Sequence, residues 1–76
     1  MKELVETIVK ALVDHPEEVR VTEEESERGT LVTVNVAKED LGKVIGKNGR
    51  VATAIRAVVK AAGVRSGKHT IVDIDE

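Results

Sequence analysis

Ten consecutive residues, Leu41-Gly42-Lys43-Val44-Ile45-Gly46-Lys47-Asn48-Gly49-Arg50, hold the clearest chemistry in this sequence. Gly46 lets a preceding helix end in a left-handed turn without a Cβ penalty. Gly49 falls at the start of the next helix, where a missing side chain admits a ligand backbone. The unpaired amides of that helix's first turn favour an anion. Lys47 and Asn48 point outward beside them, flanked by Lys43 and Arg50, so the whole suits a phosphate. Nucleotide hydrolysis is a poor fit. A Walker A loop needs four residues between its glycines and a Ser or Thr after its Lys, whereas three separate Gly42 from Gly46 and Asn48 follows Lys47. A dinucleotide fingerprint lacks its third glycine and its preceding strand. On the four residues alone, a plain turn between packed helices and a DNA-reading helix-turn-helix both stay open.

The charge around this segment is lopsided. The chain carries a net charge of −2, yet residues 1–40 hold eleven acids against five bases. Residues 41–70 hold seven bases (Lys43, Lys47, Arg50, Arg56, Lys60, Arg65 and Lys68) and no acid, and the tail ends in Asp73, Asp75 and Glu76. A basic segment of this kind is an electrostatic footprint for nucleic acid, or else a solvated face. Other chemistries find little material. With no cysteine, disulfides, thiolates and Cys-based zinc sites are excluded together. His15 and His69 lie far apart with no carboxylate pattern for a metal, and read as surface histidines. Glu23-Glu24-Glu25 reads as a solvated strand end, and no nucleophile has a recognisable partner, so no enzyme, cofactor or small-molecule substrate is expected.

The elements that position the segment follow from periodicity. Leu4, Val5, Ile8, Val9, Leu12 and Val13 form one helical stripe, which Pro16 should stop near Asp14. Glu3, Glu6 and Lys10 break its apolar run, which excludes a signal peptide. No stretch approaches the roughly 18 apolar residues of a membrane span, so the expected location is the cytoplasm. Val19 to Glu25 alternates as a strand, Glu27-Arg28-Gly29 supplies a turn, and Leu31 to Val36 is a second strand with Val32, Val34 and Val36 on its covered face. Lys38-Glu39-Asp40 places acids in the first turn of a short helix running to about Ile45. After the glycine turn, Val51, Ala54, Ile55, Val58, Val59 and Ala62 make the apolar stripe of a longer helix closed by Gly63, with Arg50, Thr53, Arg56 and Lys60 opposite. Arg65-Ser66-Gly67-Lys68 is a basic loop, and Thr70 to Ile74 is the last strand. The order α-β-β-α-α-β predicts a single α+β domain over residues 1–76. Its three-stranded mixed sheet should have an antiparallel hairpin and a parallel pair joined by the two-helix crossover, packed against three helices.

In this order, V-I-G-K-N-G-R followed by Val51, Ile55 and Val58 resembles the KH domain of type II, over essentially the whole chain. The chain is most similar to the small stand-alone bacterial KH proteins of the KhpA-like family. That resemblance implies a non-catalytic binder of single-stranded RNA, an RNA chaperone or post-transcriptional regulator, whose Gly46-Lys47-Asn48-Gly49 loop clamps the backbone of about four nucleotides. It implies an aliphatic base groove at Val44 and Ile45, with Arg50 and Thr53 along its other edge. It further implies homodimers, heterodimers with a larger Jag-type KH partner, and roles in cell shape, cell elongation and peptidoglycan homeostasis.

Composition adds an independent constraint. The chain has no Phe, Trp or Tyr, while RRM, OB-fold and cold-shock modules rely on aromatic platforms. Without stacking worth about 1–3 kcal/mol per base, a single groove should bind weakly, which favours use in pairs. The alternatives are a protein-interaction or dimerisation module on the same scaffold, a single-stranded DNA binder, and a KH domain cut from a larger protein. An acid-free loop argues against the first, and Met1 with a complete set of elements argues against the last.

Overall fold

A computed structural model describes residues 1–67 and 69–75. The chain runs α1 (Lys2–Leu12), β1 (Arg20–Ser26), β2 (Gly29–Asn35), α2 (Leu41–Ile45), α3 (Arg50–Ser66) and β3 (Thr70–Asp75). Lys68 of the expected basic loop and Glu76 of the acidic tail lie outside the described residues. The strands form one sheet in the order β1-β2-β3. β1 and β2 are antiparallel, closing at Ser26 opposite Gly29, and β2 and β3 are parallel with Val32 beside Val72. This is the expected α+β arrangement, and its register follows from which valines must be covered. Val21, Val32, Val34 and Val72 join Val5 and Val9 of α1, Val44 of α2, and Ile55 and Val59 of α3 in one core. On the other face Leu31 and Ile71 stay exposed. Each fully buried valine contributes roughly 1.5–3 kcal/mol of hydrophobic stabilisation. Among the described residues no helix is long and apolar enough to cross a membrane, and no group of His, Asp and Glu could hold a metal ion.

Several expectations need correction. α3 does not stop at Gly63, which is buried within it; the helix continues to Ser66 and ends at Gly67 in left-handed geometry (φ 75°). Gly63 lies four residues after Val59 and shares its core-facing side, so the glycine serves packing there. The buried stripe of α3 is also rotated. Ala52, Ile55 and Val59 enter the core, whereas Ala54 and Val58 stay exposed and, with Val51, line a shallow apolar groove against Ile8 and Leu12 of α1. Small Ala52 allows the close approach to the core, a preference that hydrophobicity alone does not register. The expected helix from Lys38 divides into a single 3-10 turn (Lys38–Asp40) and α2. Gly29 begins a strand instead of completing a loop. A Cβ there would lie 2.1 Å from the His69 carbonyl oxygen, which accepts the Thr30 N–H at 2.8 Å.

Three acids take on structural work. Glu23 shares a sheet face with Val32 and Val72, the face that the helices cover, and its Oε2 accepts the Lys2 backbone N–H at 3.1 Å. An acid from the sheet thus satisfies a first-turn amide of α1, where negative charge is favoured. Asp40 is 1% exposed, and its carboxylate accepts the backbone N–H groups of Asp14 (3.1 Å) and His15 (2.9 Å). It pins the α1–β1 connection to the start of α2. Asp14, set in place by that contact, pairs with Lys43.

Candidate nucleic-acid interface

The Gly46–Gly49 loop is a compact turn set between α2 and α3. α2 closes at Gly46 (φ 77°, ψ 173°), whose N–H donates to the Gly42 carbonyl at 2.8 Å. Gly49 N–H then donates to the Gly46 carbonyl at 3.1 Å. Asn48 (φ 57°) and Gly49 (φ 73°) are both left-handed, which Asn tolerates better than other side-chain-bearing residues. Lys47 and Asn48 are exposed at the tip, and Arg50 is the exposed first residue of the 17-residue α3. No side chain caps the α3 N-terminus; the Arg50 N–H donates to the Lys47 carbonyl, and the positive end of the helix dipole beside Lys47 and Arg50 favours an anion.

The two glycines do different work. A Cβ on Gly46 would come within 2.4 Å of Val51 Cγ2 and 2.9 Å of the Val51 nitrogen, so packing of the turn against α3 forbids a side chain there. A Cβ on Gly49 would meet nothing within 4 Å. Gly46 therefore belongs to the fold, whereas Gly49 supplies a left-handed conformation and leaves open surface above the helix N-terminus.

The remaining candidates divide by burial. Val44 is fully buried and anchors α2 in the core, and Ile45 is half-buried just before the turn. Thr53 is exposed one turn into α3. Lys43 is exposed, but its Nζ donates to the Asp14 carboxylate. The bond to Lys43 holds the Asp14 carboxyl below its ordinary range, and the bond to Asp14 raises the Lys43 ammonium. The small stabilisation from this exposed pair is present above the unfolded Asp pKa and is lost as pH falls through the lowered folded value. The segment without acids in sequence thus acquires one in space.

Two features of this surface escaped sequence reading. Arg56 reaches across to β3, donating from Nε to the Val72 carbonyl at 3.2 Å. β3 is an edge strand, and the His69 and Asp75 carbonyls point to β2. By alternation the Val72 carbonyl lies on the open edge, where Arg56 covers it. The second feature is Gly42. It sits inside α2 with no positive φ, is exposed, and a Cβ there would meet nothing within 4 Å. No turn and no close protein neighbour explains a glycine at that position, one turn above Gly46. A glycine in the first turn of a helix, where no left-handed geometry calls for it, is the signal that could have found it.

A family model described as KhpA/KhpB, KH domain, matches residues 2–74. The chain is similar to the RNA-binding protein KhpA of Clostridium acetobutylicum, 54% identical over 74 residues that cover 97% of this chain and 99% of the relative. It is similar to the RNA-binding protein KhpA of Listeria monocytogenes, 49% identical over 76 residues and the full length of both chains. It is also similar to the RNA-binding protein KhpA of Streptomyces coelicolor, 45% identical over 75 residues, covering 99% of this chain and 95% of the relative.

Proposed function

The chain belongs to the KhpA/KhpB KH-domain family, and we propose that it binds single-stranded RNA without catalysis, clamping the backbone of about four nucleotides at Gly46-Lys47-Asn48-Gly49. The observation that carries this reading is the loop itself, with exposed Lys47 and Asn48 beside a Gly49 that has open space in front of it. The phosphates lie against the loop and the α3 N-terminus, with Lys47 and Arg50 supplying charge. Bases follow the Ile45 side of α2 toward Thr53, while Val44 supports that surface from the core. A binding role without chemistry also fits the acids, since Glu23, Asp40 and Asp14 are each engaged in holding elements together.

Gly42 joins the same surface as a place where the ligand comes close to the helix, and this gives the reading a test with two opposite signs. Gly42→Ala should stabilise the protein by about 0.5–1 kcal/mol, because alanine is the better helix residue and has free space to occupy. The same methyl should weaken RNA binding, since it fills the approach to α2. Thermal denaturation and an RNA titration on one sample read both effects. A variant that gains stability and binds RNA like the parent would remove α2 from the contact surface.

The absence of aromatic residues leaves one groove with modest affinity, and two linked grooves raise apparent affinity by roughly 10²–10⁴. We therefore read the working unit as a homodimer, or a heterodimer with a larger Jag-type KH protein. Its work is RNA-chaperone regulation in the cytoplasm, touching cell shape and peptidoglycan homeostasis; those roles rest on the family resemblance. Size-exclusion chromatography with light scattering should give twice the 8.2 kDa chain mass. A strict monomer that binds a tetranucleotide tightly would contradict the paired mode.

A further inference from the structure

Lys43 lies three residues before the Gly46–Gly49 loop, and its ammonium is already engaged by an acid from a distant part of the chain. Nζ donates to a carboxylate oxygen of Asp14, 29 residues away in sequence. Asp14 is held there by a second acid. Asp40 accepts the Asp14 N–H through Oδ1 at 3.1 Å and the His15 N–H through Oδ2 at 2.9 Å, and is itself 1% exposed. Asp40 immediately precedes α2, the helix that carries Lys43, so the backbone of Asp14 is fixed to the start of its partner's own helix. The Lys43 and Asp14 side chains are nonetheless open to a ligand, at 45% and 68% exposure.

We propose that Asp14 is an internal competitor for nucleic-acid phosphate, holding Lys43 in the free protein and yielding it only when a phosphate takes its place. The proposal rests on the RNA-binding reading above. A carboxylate and a phosphodiester each offer an ammonium two oxygens that share a negative charge. Two anions on one exposed ammonium repel each other, so phosphate contact at Lys43 works against the Asp14 contact. The affinity of the loop is thereby set below what its cations alone would give. Lys47 and Arg50 remain the cations that a ligand meets first.

The test is Asp14→Asn, which removes the charge, keeps the size and retains the backbone N–H that Asp40 accepts. A fluorescently labelled single-stranded RNA is titrated with the parent, Asp14→Asn, Lys43→Gln and the double variant, at several salt concentrations. Asp14→Asn should bind about 1.5- to 5-fold tighter, the range of an exposed ion pair. Its slope of log K against log salt should match the parent's, because Lys43 meets the same phosphate in both complexes. The gain in affinity should shrink in the Lys43→Gln background. Equal or weaker binding by Asp14→Asn, or the same gain without Lys43, overturns the proposal and leaves the RNA reading standing. Absence of RNA binding by both parent and Asp14→Asn overturns the RNA reading and the proposal with it.

Discussion

Lys47→Asp combined with Asn48→Asp should weaken binding of single-stranded RNA by at least ~30-fold while leaving the fold intact. The two side chains are exposed at the tip of the turn, where a phosphate would contact Lys47 and the amides at the start of α3. The double change removes one positive charge and adds two negative ones beside the ligand's own charge. Like charges brought together at a contact cost several kcal/mol, and each 1.4 kcal/mol is tenfold in affinity. The fold should tolerate the change because neither side chain is buried. Aspartate also ranks with asparagine in accepting the left-handed geometry that position 48 adopts (φ 57°). Far-UV circular dichroism and thermal denaturation separate the two effects. A folded double variant that binds RNA like the parent would take the loop out of the mechanism.

The largest effect on stability should come from Asp40. Its carboxylate is almost fully buried and accepts two backbone N–H groups of the α1–β1 connection. Hydrogen bonds to a charged group contribute roughly 1.5–3 kcal/mol each, and a removed acceptor leaves its donors unsatisfied. Asp40→Ala should therefore cost about 2–4 kcal/mol, a large share of the 5–15 kcal/mol that holds a typical domain. For a chain of this size, that lowers the melting temperature by roughly 10–30 °C. Asp40→Asn keeps one carbonyl acceptor and should lose about half as much. Because Asp14 is positioned by Asp40, the alanine variant should also loosen the Lys43 pair. A change within about 0.5 kcal/mol, the range of an ordinary surface substitution, would show that water replaces the carboxylate at no cost.

The elements of this fold were legible where one residue pattern matched one environment. Alternating Val32, Val34 and Val36 face a covered core, and a sequence period of two reports that directly. Gly46 and Gly49 sit at left-handed positions, where glycine carries its own signal. The acids were legible only as charge. Glu23 looks like one of three solvated carboxylates until β1 pairs with β2 and places it beside the first turn of α1. Asp40 follows the pattern of a first-turn acid, and its true partners are 25 and 26 residues away. Nothing local distinguishes a carboxylate that caps its own helix from one that caps a distant loop. The rotated face of α3 has a related origin: Ala52 and Gly63 pack inward because they are small, while Ala54 and Val58 remain outside. Size complementarity belongs to the partner surface, which sequence spacing does not contain. Within the candidate site, the run from Lys43 to Arg50 was legible from its glycines, whereas the engagement of Lys43 by Asp14 depends on a tertiary contact.

An equilibrium titration of the intact protein against labelled single-stranded RNA, duplex RNA and single-stranded DNA of equal length, at several salt concentrations, decides whether the Gly46–Gly49 loop binds single strands. Saturable binding to single-stranded RNA is expected, stronger than to either competitor. Log K should fall against log salt with a slope of about −2 to −3, as about three or four phosphates at roughly 0.7 each require. No binding at low salt, or equal affinity for duplex RNA, would contradict a backbone clamp for single strands at Gly46–Gly49.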